Sequence, residues 1–488
     1  MTPNLAATST PLVCATVTAP TLAELRAERD RARGDMVELR LDTVRDPDAA
    51  GALAGRRQPV IVTCRAAWEG GHFKGSEEER HSLLRQALDL GAEYVDVEWR
   101  AHFDDLLDGA NARRVVLSSH DFDAMPADLS DRARAMRGTG AAVIKIAGLA
   151  TRLSDCLPLL EVGRDGGAVL IAMGEAGLAT RVLAGRFGSA WTYAGAVKDV
   201  GQLSTQSLID DFRFYSIKPS TEVYGLVGSP IAHSVSPAMH NAAFAQLNRD
   251  AVYLPLPATD RDDFLAFARA LDVKGASVTI PFKVPLLDVV DEIDDATRRI
   301  GALNTIRMTG GRWLGRNTDA PGFLKPLDDL GVPLQGRRAA VLGAGGSARA
   351  VAVALASRGA GTTIYARNAE RATGVAGAVG ASAGTWPPPP GSWDLLVNCT
   401  PIGMHPRVDE TPLDASSFGD GVVYDLVYNP RVTRLLREAA AAGCRTIDGL
   451  NMLVAQAVEQ FVWWTGEQPD VAAMRAAAVK RLSEFEDR

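Results

Sequence analysis

Two lysines in this chain stand where an amine can do chemistry. In VIKIA, Lys145 interrupts an apolar run. Burial disfavours an ammonium, which is the condition a Schiff-base lysine needs. In GASVTIPFK (275–283), Lys283 closes a second such run. Around Lys145, the ends of neighbouring apolar runs supply Glu38, Arg40, Arg65 and His120, with Arg181 a few residues past another. Three arginines suit a carboxylated, hydroxylated ligand, because guanidinium pairs bidentately with carboxylate. His120 can move protons near neutral pH. The segment WEGGHFKGSEEE (68–79) reads as a mobile lid. A single charge at a strand end also reads as solvated rim, so the weight lies on the set.

The second lysine has different company. Asn304 in GALNTI (301–306) and Asp319 in GRNTDAPGF (315–323) sit at the ends of other segments and suit a polyhydroxylated ligand. Ser234 and Ser236 flank a Val just before Pro237, where they could contact a ligand or simply cap the following helix. Further on, GRRAAVLGAGGSARAVAVALASRGA (336–360) is a strand, a Gly-rich turn and an Ala-rich helix. Gly343, Gly345 and Ala348 fit G-x-G-x-x-A in the context that lets a backbone approach a pyrophosphate. The next strand, TTIYARN (362–368), ends in Arg367 with Arg371 one turn on, where an NAD site carries an acid. Arginine there accommodates a 2′-phosphate, so NADP(H) is the expected cofactor. No metal is expected.

The elements that must position these groups alternate. Eight β-type runs, 11–17, 36–42, 59–65, 94–99, 114–121, 142–148, 168–174 and 189–197, are separated by helical patterns such as SLLRQALDLG. Eight strand–helix repeats in about 200 residues predict an α/β (β/α)8 TIM barrel, whose functional groups gather at the strand C-terminal ends. IKPST (217–221) lacks any apolar period and reads as a linker. The expected division is a barrel over 1–217, a substrate lobe over 218–330, a Rossmann lobe over 331–448, and C-terminal helices over 449–488 returning to the substrate lobe. GTWPPPPGSW (384–393) reads as a surface loop without chemistry, and Phe461, Trp463 and Trp464 as packing.

Bulk properties exclude several classes. With 488 residues the chain exceeds one core, and 47% hydrophobic with 23% charged residues is ordinary for a globular protein. A formal charge of -7 argues against a nucleic-acid surface. Five scattered cysteines without CxxC spacing read as buried free thiols. No apolar run approaches the ~20 residues of a membrane span. MTPNLAATST lacks the features of a signal peptide, so a cytoplasmic location is expected. The expected partners are small molecules, with the chain a monomer or homodimer.

RAAWEGG (65–71), SSHDF (118–122), VIKIAG (143–148) and MGEAGLATR (173–181) resemble the signature segments of type I 3-dehydroquinate dehydratase, in that family's order across about residues 11–210. The resemblance implies an imine on Lys145, His120 as general acid–base, Glu69 assisting it, and Arg65, Arg181, Glu38, Arg40 and Gln202 binding substrate. There are departures. The loop AVKDVGQLS (196–204) is short for the family and its usual Ser is not evident, and Thr180 replaces a Ser.

SPIAHSVSP, VTIPFK, NTD, GAGGSARA, NCTPIGM and GLNMLVAQA resemble shikimate dehydrogenase across about residues 222–486. That resemblance implies Lys283 paired with Asp319, and substrate held by Ser234, Ser236, Thr279, Asn304 and Gln456. It implies a cofactor site of Gly343, Ala344, Gly345, Gly346, Ser347, Ala348, Arg367, Asn368, Arg371, Thr400 and Gly449. Ser277 stands where the family commonly has Asn. The product of the first reaction, 3-dehydroshikimate, is the substrate of the second, which reduces it to shikimate. The expected function is therefore both steps on one chain. The rival readings are a quinate/shikimate dehydrogenase using NAD, an aldolase-type Schiff-base barrel, and a catalytically silent binding half.

Overall fold

A computed structural model of the chain describes residues 10–195 and 201–486. The chain divides into two compact units, residues 1–221 with 255–271, and residues 222–254 with 272–488. Among the described residues no helix is long and apolar enough to cross a membrane.

The first unit is built on eight parallel strands: β1 (Leu12–Val17), β2 (Met36–Arg40), β3 (Val60–Thr63), β4 (Tyr94–Glu98), β5 (Val115–Asp121), β6 (Val143–Leu149), β7 (Ala168–Met173) and β8 (Trp191–Ala194). All eight expected strands are present. Their order is β7-β6-β5-β4-β3-β2-β1-β8. β8 meets β7 through the Ala168–Ser189 bridge, which brings the barrel nearly to closure. Strands such as VIVT and YVDVE are buried at every position, as a parallel sheet covered on both faces requires. Within them, side chains two apart share a face, so Asp96 goes with Glu98 and Ser118 with His120. This unit also holds the helix Arg261–Ala270, whose buried Asp263 accepts from the backbone N–H of Leu153 (3.2 Å) and Ser154 (2.8 Å).

The second unit contains two six-stranded sheets. In the first, β9 (Glu222–Gly228), β10 (Ala251–Pro257), β11 (Val273–Val278), β12 (Glu292–Ile293), β13 (Thr305–Thr309) and β14 (Arg312–Arg316) run in the order β10-β9-β11-β13-β14-β12. The second is all parallel. It has β15 (Arg338–Leu342), β16 (Gly361–Tyr365), β17 (Ser382–Gly384), β18 (Leu395–Asn398), β19 (Val422–Asp425) and β20 (Arg445–Ile447), ordered β17-β16-β15-β18-β19-β20. That is the doubly wound order, whose switch point lies between β15 and β18.

The helix Gly449–Thr465 ties the two sheets together. Leu450, Val454, Ala457, Phe461 and Trp464 join the core of the first sheet, and Met452 joins that of the second. It lies so close to the helix Asp319–Asp329 that a Cβ on Gly322 would stand 2.6 Å from Gln456 Cβ. Trp463 is held instead between Arg307 and Arg316, each guanidinium 4.8 Å from its ring. The proline-rich loop is less superficial than its composition implies, because Trp393 is buried and Trp386 packs against the same core.

Candidate active sites

In the barrel the expected residues converge. Lys145 rises from β6 and is 5% exposed. Its surroundings differ from the apolar ones its strand implies: Nζ lies 3.0 Å from Asp96 Oδ2 and 3.6 Å from Glu38 Oε1. The apolar neighbours in sequence point elsewhere because a strand alternates faces. Glu38 is fixed by Thr16 Oγ1 (3.0 Å) and Thr63 Oγ1 (2.8 Å) donating to it. Asp96 accepts from Ser118 Oγ at 2.6 Å and pairs with Arg65 at 2.9 Å. Burial opposes ionisation of Asp96, but the charges of Arg65 and Lys145 hold its carboxyl well below the usual range.

His120, at the end of β5, faces Glu69. One oxygen, Glu69 Oε1, lies 2.9 Å from His120 Nδ1 and also accepts from the His120 backbone N–H at 2.9 Å. Burial, then the charges of Arg65 and Lys145, push the His120 imidazole well below its ordinary range, so it is neutral at pH 7. Burial pushes Glu69 up to about 7 against the pull of Arg65. With Glu69 ionised, Nδ1–H donates to it and Nε2 keeps a lone pair. That is a poised base. Phe122 stacks parallel to the imidazole at 6.1 Å.

The expected substrate arginines are more occupied than their positions imply. Arg65 donates to Glu98 (3.0 Å) and Ser118 (2.8 Å) besides pairing with Asp96. Glu98 is in turn held by the fully buried Arg80. Arg40 forks onto Asp42 with two 2.8 Å bonds, and Asp42 accepts from His72 N in the lid segment at 3.1 Å. Arg181 is buried, with NH1 3.4 Å from the Tyr193 carbonyl, and burial pulls it down to about 10. Gln202 Nε2 reaches Thr16 Oγ1 at 3.5 Å. The shortened loop lies in part, 196–200, outside the described residues.

Asp96, Glu98, Thr63 and Ser118 were not among the expected residues. The signal was present in YVDVE, where two acids alternate inside an otherwise apolar run. A buried strand does not carry carboxylates unless something pairs them.

The second unit holds a cleft of about 610 Å³ lined by Ser234, Ser236, Thr279, Lys283, Asn304, Asp319 and Gln456, all of the expected substrate residues. Lys283 lies in the turn after β11 rather than at its end. Its Nζ is 2.5 Å from Asp319 Oδ2. Asn304 Nδ2 donates to the other oxygen, Asp319 Oδ1, at 2.8 Å, to Thr318 Oγ1 at 3.0 Å and to Gln456 Oε1 at 3.3 Å. Asn317 Oδ1 accepts from Asp319 N, fixing the first turn of that helix. Ser234 Oγ accepts from Ser236 N at 3.2 Å, but the helix Ser236–Gln246 begins on Val235 without a side-chain cap, so both serines belong to the cleft rather than to an N-cap.

A second network lies at the cleft floor. Tyr253 donates to Ser277 Oγ (2.7 Å), which donates to Gln460 Oε1 (2.6 Å), while Gln460 Nε2 reaches the Asn304 carbonyl (3.1 Å). Neither Tyr253 nor Gln460 was anticipated. They become visible only once β10 and the helix Gly449–Thr465 are brought against β11.

At the switch point the geometry fits a dinucleotide. Gly343 has φ 113° in the turn after β15, a conformation side chains disfavour, and a Cβ there would stand 3.1 Å from the Cys399 carbonyl. The helix Gly346–Ser357 starts on Gly345 with no side-chain cap, leaving its first N–H groups for an anion. Ala344 and Ala348 belong to the same turn and helix start. A Cβ on Gly346 would stand 3.3 Å from Lys283 Cδ, so this turn borders the reactive lysine. Ser347 and Gly449 line the same cleft as the substrate set. Thr400 donates to Asn398 Oδ1 at 2.7 Å. Beyond β16, Asn368 caps the next helix by accepting from Arg371 N at 2.9 Å. Arg367 and Arg371 are exposed, and among the described residues no ion pair ties either guanidinium.

Known protein families match segments in both halves of the chain. The family profile described as type I 3-dehydroquinase matches residues 13–219. The shikimate dehydrogenase substrate binding domain matches 226–306, and the shikimate 5′-dehydrogenase C-terminal domain 449–479. A bifunctional 3-dehydroquinate dehydratase/shikimate dehydrogenase, chloroplastic, of Arabidopsis thaliana is 35% identical over 93% of this chain and 82% of its own length. A shikimate dehydrogenase (NADP(+)) of Moorella thermoacetica is 44% identical over 53% of this chain and 92% of its own. Among solved structures, a shikimate dehydrogenase in complex with NADP+ covers 55% of this chain and 97% of its own, with TM-score 0.53 and 35% identity. The Thermus thermophilus enzyme in complex with NADP(H) and shikimate covers 53% and 99%, with TM-score 0.50 and 38% identity.

Proposed function

Since the chain belongs to the family of bifunctional 3-dehydroquinate dehydratases/shikimate dehydrogenases, we propose that the two sites above carry out consecutive reactions by two different uses of a lysine. The enzyme is a lyase and an oxidoreductase of the shikimate pathway. In the barrel, Lys145 condenses with the ketone of 3-dehydroquinate. The iminium withdraws electrons and acidifies the neighbouring C–H. His120 Nε2 takes that proton while Glu69 holds Nδ1–H. The hydroxyl then leaves as water, taking the proton back from His120, and hydrolysis returns the Lys145 amine with 3-dehydroshikimate. Arg65, Arg181, Arg40, Glu38 and Gln202 orient the substrate.

In the second unit, Ser234, Ser236, Thr279, Asn304 and Gln456 hold 3-dehydroshikimate. NADPH, when bound on the Gly343–Ala348 turn, supplies a hydride to the carbonyl carbon. Lys283 Nζ donates the proton that the resulting alkoxide needs, and Asp319 keeps that ammonium oriented. Arg367 and Arg371 favour NADP over NAD, because a 2′-phosphate gives them an anion to pair with.

The observation that carries the reading is the pair of constellations: Lys145 with His120–Glu69, and Lys283 with Asp319, each on its own unit. The test is to supply 3-dehydroquinate and NADPH to the purified chain. Nicotinamide absorbance falls by one NADPH per 3-dehydroquinate consumed; a constant absorbance overturns the reading.

A further inference from the structure

We propose that Tyr193 is a catalytic residue of the barrel, its ring face stabilising the positive charge that the Lys145 nitrogen carries as an iminium. The proposal rests on the Schiff-base reading above. Lys145 Nζ lies 4.2 Å from the centroid of the Tyr193 ring, within the range of a cation–π contact. The ring is 2% exposed, so the attraction is not screened by water. β8 carries it, and the parallel register that pairs Tyr193 with Cys14 of β1 fixes its position. The hydroxyl makes no hydrogen bond of ordinary geometry among the described residues, and the ring face meets Lys145 Nζ.

The need for a ring follows from counting hydrogens. As an ammonium, Lys145 has three N–H donors and can face both Asp96 and Glu38. Condensation changes this. The amine lone pair forms the C–N bond, and the carbonyl oxygen leaves as water with one hydrogen from the amine and one acid proton. Nζ keeps a single hydrogen and the full positive charge. It can then donate to one carboxylate at most. A π face attracts charge without requiring a directed N–H, so Tyr193 still acts on Nζ after the donors are spent. Asp96 gives Oδ1 to Arg65 and Ser118 and turns only Oδ2 to Nζ, so one directed contact is the most it offers there.

The test replaces Tyr193 in the full chain by phenylalanine and its mono-, di- and trifluorinated analogues, which keep the shape while draining the ring of negative charge. Dehydration kcat/KM falls stepwise along the series, ~10- to 30-fold from phenylalanine to trifluorophenylalanine. Borohydride trapping of substrate on Lys145 slows in step. Thermal melts of each variant check the barrel's fold. Tyr193→Leu adds a fold-checked point without a ring and falls below phenylalanine in both readouts. A flat fluorinated series overturns the role of Tyr193, even where Tyr193→Leu is slow, because packing alone then accounts for it. Trapping in the unaltered chain reads the Schiff base separately: label on Lys145 with a flat series sinks only this proposal, whereas no label there sinks both.

Discussion

Both units pair a lysine with an aspartate, yet the surroundings assign the two amines opposite work. Lys145 is enclosed: carboxylates on two strands, a tyrosine ring and the buried Arg65 network leave it 5% exposed. Lys283 meets one carboxylate at 2.5 Å and opens onto a 610 Å³ cleft that also borders the nucleotide turn. On the proposed mechanism the enclosed amine becomes a covalent cation whose charge is compensated on several sides, and the open one hands a proton to the alkoxide. A lysine–aspartate pair is therefore not a functional signature by itself; what else faces the nitrogen decides the chemistry.

The contrast breaks most visibly on the lysines themselves. Lys145→Ala should abolish dehydration and leave reduction of 3-dehydroshikimate intact, while Lys283→Ala should slow reduction ~10²- to 10⁴-fold and leave dehydration intact, measured by separate assays of each step. A next, smaller effect concerns the open site. Arg367→Ala with Arg371→Ala should raise KM for NADPH ~10- to 100-fold and leave KM for NADH nearly unchanged, since only the former loses a charge-assisted contact.

The enclosed site should show its compensation in its pH profile. Glu69, raised to about 7, is protonated below that pH and ionised above it, and only the carboxylate accepts Nδ1–H. His120 is depressed by burial and by the neighbouring cations, so it contributes no limb near its ordinary value of 6.5. Dehydration kcat/KM should therefore rise as pH passes about 7. Glu69→Gln should lower it at least ~10-fold at high pH and erase that limb; a limb that persists reassigns it to another group. The smallest effect is on packing around the open site. Gly322→Ala pushes a Cβ to 2.6 Å from Gln456 and should destabilise the second unit by ~1–3 kcal/mol, read as a lowered Tm with reduced shikimate affinity.

How much of this the chain discloses depends on whether residues act locally or across elements. Strand–helix alternation, repeated eight times, makes the barrel legible, and G-x-G-x-x-A between a strand and a helix does the same for the nucleotide turn. Lys145, His120, Lys283 and Asp319 stand out because they break local patterns. The partners that tune them do not. Asp96 and Glu98 sit mid-strand and acquire meaning only when β4 stands between β3 and β5. Tyr253 and Ser277 are 24 residues apart, Ser277 and Gln460 183, and all three look like ordinary core positions until they form one hydrogen-bonded chain. Tyr193 reads as strand packing; its distance from Lys145 Nζ is set by barrel curvature, which no local period encodes.

The most direct test of two separate lysine chemistries on one chain is complementation between damaged copies. Lys145→Ala and Lys283→Ala proteins are each given 3-dehydroquinate and NADPH, then mixed under the same conditions. Neither alone should form shikimate at an appreciable rate, and the mixture should consume NADPH as intermediate released by one copy reaches the other. Shikimate formed at the unaltered rate by either variant alone, or a mixture as inert as its components, would contradict the account.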